Sequence, residues 1–470
     1  MYSLDHNPFS SSGLFIGRGY PWLGKKEVQD IYIPKDNLDT HTYIVGRTGS
    51  GKTALLSLLA SQLIAKGYGV MVIDLKGDPM LFNAVWVSAC LAKRQDDFLL
   101  FSPASLEAGG FGEFPYGTCS YNPLMYGSAE SITSKLTNAS QEAGRAYTFH
   151  EEIKADFLFA LVAGFVSRGK PFRFKDLWAC TGSQKALRGL IKECRDSNIR
   201  LSLQMWLDMW TQNPTKYYQY TVTTKTFLRY FSTGIMGKLL NTTKPTLDLK
   251  EVFLKQKILY VCLPILLFEK TARPIAKMFL ADVQYLTGYL QIYQKVKQPF
   301  AILIDEFENV IFESIVNIFN KARSAGICMF ISHQSLADVS LQASRDMLNV
   351  LLDNTQTKIF FSQASVDGSE YLARRVGQDL AFFPMLSGIG TGMLRAQYDY
   401  LLRPEYLMTK NPAYPDGLGT LDFFALIGGN VYRGHTYIVP RMQIGRDIPI
   451  PHFEPGTDKQ KGFMERYCSA

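Results

Sequence analysis

The sequence has 470 residues, 47% of them apolar and 20% charged, and a formal net charge of +8, which is an ordinary composition for a soluble globular protein of roughly two to four structural units. No stretch reaches the roughly 18 to 20 uninterrupted apolar residues of a membrane-spanning helix, and the first residues lack the pattern of a signal peptide. The seven cysteines are scattered and form no CxxC pair, which argues against a disulfide framework or a zinc site and favours the reducing cytoplasm.

Residues 1–38 are expected to form a lead-in of short strands and turns. After them, short apolar segments alternate with amphipathic ones, and the pattern predicts a helix at 52–66 and strands at 43–45, 70–74 and 98–101. Continuous apolar strands that alternate with helices are typical of a buried parallel sheet.

Helical periodicity alone continues across residues 131–231. The alternation then resumes, with helices at 272–293 and 314–324 and strands at 258–263, 301–304, 328–332 and 358–361. Residues 420–444 are predicted to be a hairpin that turns at Gly428-Gly429-Asn430. The tail from Arg446 is predicted to be loop.

We therefore predict an α/β core that an all-α domain interrupts. The expected boundaries are 1–38 for the lead-in, 39–127 for the first part of the core, 128–245 for the helical insert, 246–445 for the second part and 446–470 for the tail. Residues 168–244 of the insert hold fourteen Lys or Arg against four acids. Basic residues beside aromatic rings suit single-stranded nucleic acid, although most of these rings are expected to form the core of the insert itself.

The segment after the first predicted core strand matches the phosphate-loop pattern GxxxxGK(S/T) over Gly46–Thr53. A preceding strand and a following helix are the context in which this pattern binds nucleotide, because backbone N–H groups and a helix N-terminus surround the phosphates. Lys52 is expected to reach the β- and γ-phosphates, and the hydroxyl of Thr53 to bind Mg²⁺. The residues assigned to nucleotide binding are Gly46, Arg47, Thr48, Gly49, Ser50, Gly51, Lys52, Thr53 and Ala54.

Two adjacent carboxylates follow the predicted strand at 301–304. Asp305 is expected to hold the Mg²⁺ water shell, and Glu306 to orient or deprotonate the attacking water. The competing interpretation is an acidic helix start, but α/β sheets bind ligands at the carboxyl ends of their strands. Lys52 and Glu306 are thus the central predicted catalytic residues, with ATP and Mg²⁺ as cofactors.

Three further positions allow two interpretations each. Gln334 follows the strand at 328–332, where it can contact the γ-phosphate or serve as a turn residue. Arg323 can act as an arginine finger on the ATP of a neighbouring subunit, or it can stabilise a helix end. The turn at Asp74–Pro79 lies where a ligand or partner could be contacted, but a tight turn explains its glycine and proline equally well.

Taken together, these segments resemble the TraD/TraG-type type IV coupling proteins, which are hexameric ATPases of conjugation and type IV secretion related to FtsK and HerA. The phosphate loop and the acidic pair alone fit many ATPases, whereas the KGD, YNPL and GGxxYR motifs narrow the match. The matching pieces stand in the order of the family over most of the chain: Leu14–Trp22, Gly46–Thr53, Ile73–Asp78, Tyr121–Leu124, Leu303–Phe307, Ala322–Ile327, Ser332–Ser335 and Gly428–Arg433.

The resemblance implies a RecA-like motor domain, a homo-hexameric ring, and single-stranded DNA or a relaxase–DNA complex as cargo for a type IV secretion channel at the inner membrane. It favours the finger role of Arg323 and the γ-phosphate role of Gln334. Many relatives carry N-terminal transmembrane helices and this sequence has none. We therefore expect either a cytoplasmic member that its partners recruit to the inner membrane or a truncated form.

The leading functional hypothesis is an ATP-dependent motor that moves DNA to the channel. A second hypothesis is a docking platform, in which ATP binding presents substrates to the channel with little translocation. A third is a secretion-assembly ATPase or a FtsK/HerA-like translocase, against which the KGD and YNPL motifs and the helical insert argue by resemblance.

Overall fold

The structure is a computed structural model that describes residues 11–106, 117–140, 149–293, 298–386, 392–442 and 463–467. Its centre is an 11-stranded sheet, and two further strands form a separate sheet. The strands in chain order are β1 (Leu14–Pro21), β2 (Gln29–Ile33), β3 (Thr42–Val45), β4 (Gly69–Asp74), β5 (Phe98–Phe101), β6 (Ile258–Cys262), β7 (Phe300–Asp305), β8 (Ile327–His333), β9 (Thr357–Phe361), β10 (Gln378–Leu386), β11 (Gly392–Tyr400), β12 (Asp422–Ile427) and β13 (Asn430–His435).

The large sheet has a parallel part and an antiparallel part. Its strand order is β2-β1-β13-β12-β9-β3-β8-β7-β4-β6-β5. The strands from β9 to β5 pair in parallel, whereas β12, β13, β1 and β2 extend the sheet in antiparallel register. Because parallel strands point the same way, the segments that follow β3, β4, β7 and β8 all leave the sheet at one edge.

The helices surround this sheet and build the insert. They are α1 (Lys52–Ala65), α2 (Pro79–Leu91), α3 (Ala129–Ser140), α4 (Phe149–Ser167), α5 (Phe174–Gly182), α6 (Gln184–Glu193), α7 (Ser197–Gln212), α8 (Pro214–Ser232), α9 (Gly234–Leu240), α10 (Leu249–Leu254), α11 (Ala272–Tyr293), α12 (Val316–Lys321), α13 (Leu336–Gln342), α14 (Arg345–Asp353), α15 (Val366–Val376) and α16 (Phe463–Tyr467). Within the described ranges, no helix combines the length and the apolar character that crossing a bilayer requires.

Two hydrophobic cores lie on opposite faces of the sheet. In β4, Val70 and Val72 pack into the core that contains α1 and α2, whereas Met71 and Ile73 pack into the core that contains α11 and the insert. This alternation follows from the two-residue period of a strand. The predicted α/β class, with a mainly parallel sheet interrupted by helices, is confirmed, while the exact domain boundaries stay a prediction.

Most predicted elements are confirmed within one or two residues at each end, but two expectations were wrong and one hairpin was not predicted. The single helix at 314–324 is divided into a 3₁₀ turn (Glu313–Ile315), α12 and a second 3₁₀ turn (Arg323–Ala325), which Gly326 ends in the left-handed conformation. The tail is not entirely loop, because α16 packs Phe463 against Phe165 of the insert. The β10–β11 hairpin was not predicted. The other tail positions lie outside the described residues.

The YNPL motif joins the insert to the core through buried polar contacts. Tyr121 stacks on Phe279 of α11 at a centroid distance of 4.2 Å, and its hydroxyl donates a hydrogen bond to Asp282. The ammonium of Lys135 in α3 donates to the same carboxylate and, at 2.5 Å, to the carbonyl of Pro123. Burial raises the pKa of Asp282, and the Lys135 cation opposes that rise. The pair therefore fixes α3 to α11 only while both partners are present.

We expect Lys135→Met to lower the free energy of unfolding by about 3–5 kcal/mol, because it leaves the Asp282 carboxyl buried without its cation. Urea unfolding followed by circular dichroism measures this loss. Lys170→Met, at an exposed lysine of the insert, is the matched control and should behave like the wild type. The double variant Lys135→Met/Asp282→Leu should recover much of the loss, and an unchanged Lys135→Met variant would contradict the assigned role.

Candidate functional site

The segment between β3 and α1 has the backbone of a phosphate loop. Gly49 and Gly51 have φ values of +75° and +122°, a region that L side chains rarely adopt. A Cβ atom at Gly46 would lie 2.6 Å from the Cβ of Phe361 and 2.8 Å from the hydroxyl of Ser50. Glycine is therefore required at these three positions for the loop to close around an anion.

Lys52 begins α1 beneath this loop. Its ammonium donates hydrogen bonds to the backbone carbonyls of Gly46 at 2.6 Å and Arg47 at 3.1 Å. Burial lowers the pKa of Lys52, and the nearby carboxylates, first among them Asp305, oppose the shift. The positive charge is thus held at the centre of the loop.

Asp305 ends β7 and connects the loop to the neighbouring strand. Its carboxylate accepts a hydrogen bond from the hydroxyl of Thr53 at 3.0 Å and another from the hydroxyl of Ser332 in β8, also at 3.0 Å. The first contact brings the two predicted metal-binding residues together, Thr53 from the first turn of α1 and Asp305 from the end of β7.

Glu306 follows in a left-handed backbone conformation, with φ 56° and ψ 47°. For a residue with a side chain this conformation costs about 1 kcal/mol, and such strain is concentrated at functional sites. Burial and the adjacent Asp305 raise the pKa of the Glu306 carboxyl, while the cations of Lys76 and Lys52 oppose the rise. The pKa of Glu306 is therefore closer to neutral pH than that of a free glutamate, which suits a proton acceptor.

A cavity of about 290 Å³ joins these groups. Its lining includes Gln334, which follows β8 and accepts a hydrogen bond from the hydroxyl of Thr48 at 3.1 Å. The predicted residues in the lining are Thr48, Gly49, Gly51, Lys52, Thr53, Ala54, Asp305, Glu306 and Gln334. Gly46 and Ser50 belong to the loop but do not line the cavity, and Arg47 donates to the hydroxyl of Ser362 at 3.3 Å.

Two family models match parts of the chain. Residues 15–79 match the model described as the central domain of the helicase HerA, and residues 299–380 match the one described as the TraM recognition site of TraD and TraG. Over 135 residues the chain is 30% identical to the type 4 coupling protein DotL of Legionella pneumophila subsp. pneumophila strain Philadelphia 1. That match covers 28% of this chain and 17% of the length of DotL.

Solved structures of similar fold include the conjugative coupling protein TrwBdeltaN70 in an unbound form, with a TM-score of 0.61 at 14% identity over 87% of this chain and 88% of that chain. TrwB in complex with ADPNP, and with ADP and Mg²⁺, gives 0.56 at 13% identity, over 92% of this chain and 98% and 96% of those chains. VirB4 of Thermoanaerobacter pseudethanolicus gives 0.53 at 12% identity, over 91% and 97%.

The resemblance to type IV coupling proteins is confirmed. The fold is likewise the predicted RecA-like phosphate-loop core with an inserted helical domain.

Arg323 does not line the cavity. It is exposed in the 3₁₀ turn that precedes β8, whereas Gln334 follows the carboxyl end of the same strand. The seven residues of β8 separate the two edges of the sheet by roughly 20 Å. Arg323 therefore cannot reach the cavity of its own subunit, and a finger role requires a second copy.

Several lining residues were not among the predicted site residues. Leu421 approaches from the loop before β12: its backbone N–H donates to the carbonyl of Ser50 at 2.9 Å, and its φ of +69° is left-handed. Thr420 and Ile438 complete this wall, and Lys76 lines the cavity as well. Only the Asp74–Pro79 turn carried a signal in the sequence. The contact of Leu421 joins segments about 370 residues apart and leaves no local pattern.

His333, the last residue of β8, is fully buried beside the phosphate loop. Its Nδ1 lies 2.9 Å from the carbonyl of Ser335, and its ring packs edge-on against Tyr43. Burial lowers the pKa of His333 from 6.5 to about 3, so its imidazole is neutral in the folded protein at physiological pH.

We expect His333→Gln to weaken the acid sensitivity of the fold. In the wild type the unfolded chain binds a proton on this residue below about pH 6.5 while the folded state does not, so stability is lost as the pH falls from about 6.5 towards 3. The variant should lose up to about 1.4 kcal/mol per pH unit of that dependence. Urea unfolding at about pH 7.5, 6.5 and 5.5 measures the slopes. Identical slopes for the two proteins would overturn the assignment.

Proposed function

We propose that the chain is a Mg²⁺-dependent ATPase that acts as a type IV coupling protein. In this role it couples ATP hydrolysis to the delivery of single-stranded DNA, or of a relaxase–DNA complex, to a type IV secretion channel at the inner membrane. The observation that carries the proposal is the hydrogen-bond network of Thr53, Asp305 and Ser332, which joins the phosphate loop to the acidic pair in one cavity. The similarity to DotL and TrwB supports the coupling role.

The loop fits a bound nucleotide. Gly49 and Gly51 have the positive φ values that let backbone N–H groups turn inward, and Lys52, Thr53 and Asp305 line the same cavity. We assign nucleotide binding to residues 46–54 and Mg²⁺ binding to Thr53 and Asp305, whose oxygen atoms are the ligands that this ion prefers. When bound, the ion neutralises phosphate charge. The TrwB structures with ADPNP and with ADP and Mg²⁺ support both ligands.

Each residue of the cavity then has a distinct role. Lys52, which donates to two loop carbonyls, redirects its ammonium towards the phosphates. Glu306 orients the attacking water and accepts its proton, for which its raised pKa suits it. Gln334 contacts the γ-phosphate or the water, and its hydrogen bond with Thr48 reports that contact to the loop.

We assign Arg323 as the finger that completes the site of a neighbouring subunit. Its place at the opposite edge of the sheet supports a head-to-tail interface, and repetition of such an interface closes a ring, here of six copies. Components of the secretion channel at the inner membrane would contact this ring.

We assign cargo contact to the exposed face of α8 in the insert. Among the eleven aromatic rings of residues 168–244, only Tyr218 and Tyr230 are exposed. Lys216 and Arg229 are exposed on the same helix. Rings that stack on bases beside cations that bind phosphates suit single-stranded DNA, and the other rings form the core of the insert, as predicted.

Glu306→Gln should lower the rate of ATP turnover by about 100-fold or more while nucleotide binding persists, because only the proton acceptor is lost. Lys52→Ala should abolish both binding and turnover. Binding is measured by titration with a fluorescent ATP analogue, and turnover by phosphate release. Wild-type protein that binds no nucleotide would overturn the proposal.

The motor hypothesis is tested by measuring the rate of ATP turnover as a function of protein concentration, with and without single-stranded DNA. Turnover should rise steeply with concentration and with DNA. Arg323→Ala should abolish it at every concentration, whereas Lys321→Ala, at an exposed lysine two residues earlier, should not. Turnover that is flat and indifferent to DNA would contradict the motor and favour the docking platform.

A further inference from the structure

The turn between β4 and α2 is built around one buried carboxylate. Asp74 accepts hydrogen bonds from the backbone N–H groups of Lys76 at 2.9 Å, Gly77 at 2.8 Å and Asp78 at 2.7 Å. The hydroxyl of Tyr260 in β6 donates to the same carboxylate at 2.7 Å. The backbone of the turn is therefore fixed without any contribution from the side chain of Lys76.

The glycine and the second aspartate complete the turn. Gly77 has a φ of +76°, and a Cβ atom there would lie 3.1 Å from Pro264. Asp78 caps α2 by accepting a hydrogen bond from the N–H of Met80 at 2.8 Å. These contacts explain the glycine and the aspartate of the KGD motif. They use the backbone N–H of Lys76 but not its side chain.

Lys76 instead presents a positive charge to the cavity. Since Asp74 pairs with Asp305 in the register of β4 and β7, the turn lies beside the acidic pair. Of the described residues that line the cavity, only Lys52 and Lys76 carry a positive charge, against the carboxylates of Asp78, Asp305 and Glu306. Leu421 and Ile438 contribute apolar side chains to the same lining.

We propose that Lys76 is a second phosphate-binding cation of the site. Its ammonium contacts the phosphate oxygens of a bound nucleoside triphosphate and offsets the repulsion between those oxygens and the neighbouring carboxylates. The inference rests on the proposed function, because it assumes that this cavity binds nucleotide.

Lys76 can exchange its contact with Asp78 for one with a phosphate. Its side chain is 52% exposed, and its ammonium lies 3.5 Å from the carboxylate of Asp78, at the limit of a hydrogen bond. An exposed pair of this kind contributes little to stability, so the ammonium can leave Asp78 at low cost. A triphosphate carries more negative charge than one carboxylate, and a charge-assisted hydrogen bond to it at normal length is stronger than this long contact.

Equilibrium titration with Mg²⁺ and ATPγS tests the proposal without requiring turnover. Lys76→Met should raise the dissociation constant about tenfold through loss of one charge-assisted contact. Lys76→Arg, which keeps the charge, should stay within about threefold of the wild type. Asp78→Asn keeps the cap of α2 and removes the competing carboxylate, so its affinity should equal or exceed that of the wild type.

Thermal unfolding without nucleotide is the structural control, and all three variants should unfold at the temperature of the wild type. A Lys76→Met variant that binds ATPγS as tightly as the wild type overturns this inference and leaves the proposed function intact. A wild type that fails to bind ATPγS overturns both, and loss of affinity in Lys76→Arg equal to that in Lys76→Met also overturns the role of the charge.

Discussion

The carboxylate of Asp305 is the group on which the rest of the site depends. It is nearly inaccessible to solvent. It accepts hydrogen bonds from hydroxyl groups of two other elements, Thr53 at the start of α1 and Ser332 in β8. A buried acid of this kind is tolerated only where such partners are present. The same two bonds set the distance between the phosphate loop and Gln334, which lies two residues beyond Ser332. Any ligand that draws Asp305 towards itself therefore acts on both sides of the cavity.

Strand order explains why these residues meet. The motif at 46–53 lies about 250 residues before those at 305–306 and 332–334, but β3, β8, β7 and β4 are successive neighbours in the sheet. Their carboxyl ends therefore converge on one edge. The sequence predicted this edge well, because uninterrupted apolar strands and the spacing of the phosphate loop are local signals. The continuous apolar pattern of β7 and the polar residues directly after it were enough to place Asp305 and Glu306.

Other features had no local signal. The division of the segment 313–325 into short turns reflects packing against α11, and periodicity alone favoured one helix. The position of Leu421 in the cavity wall depends on its left-handed backbone and on its hydrogen bond to Ser50. The residues around position 421 give no sequence signal for either feature. Likewise, the direction of β8 places Arg323 at the edge of the sheet away from the cavity. A finger role of Arg323 is therefore possible only at the site of another subunit. Contacts between distant segments thus account for most of what the sequence left open.

The antiparallel extension of the sheet has a consequence for how the chain acquires its structure. β1, near the start of the chain, joins the large sheet through β13, and β13 reaches the parallel strands only through β12. During synthesis, β1 and β2 can pair with each other long before that connection exists. The ribosome must release residues up to about 435 before β1 can pair with its second neighbour, β13. Such non-local pairing is slow, and the strand edges stay exposed until it is complete. Closure of the cavity, which Leu421 lines just before β12 and Ile438 just after β13, is therefore one of the last events of folding.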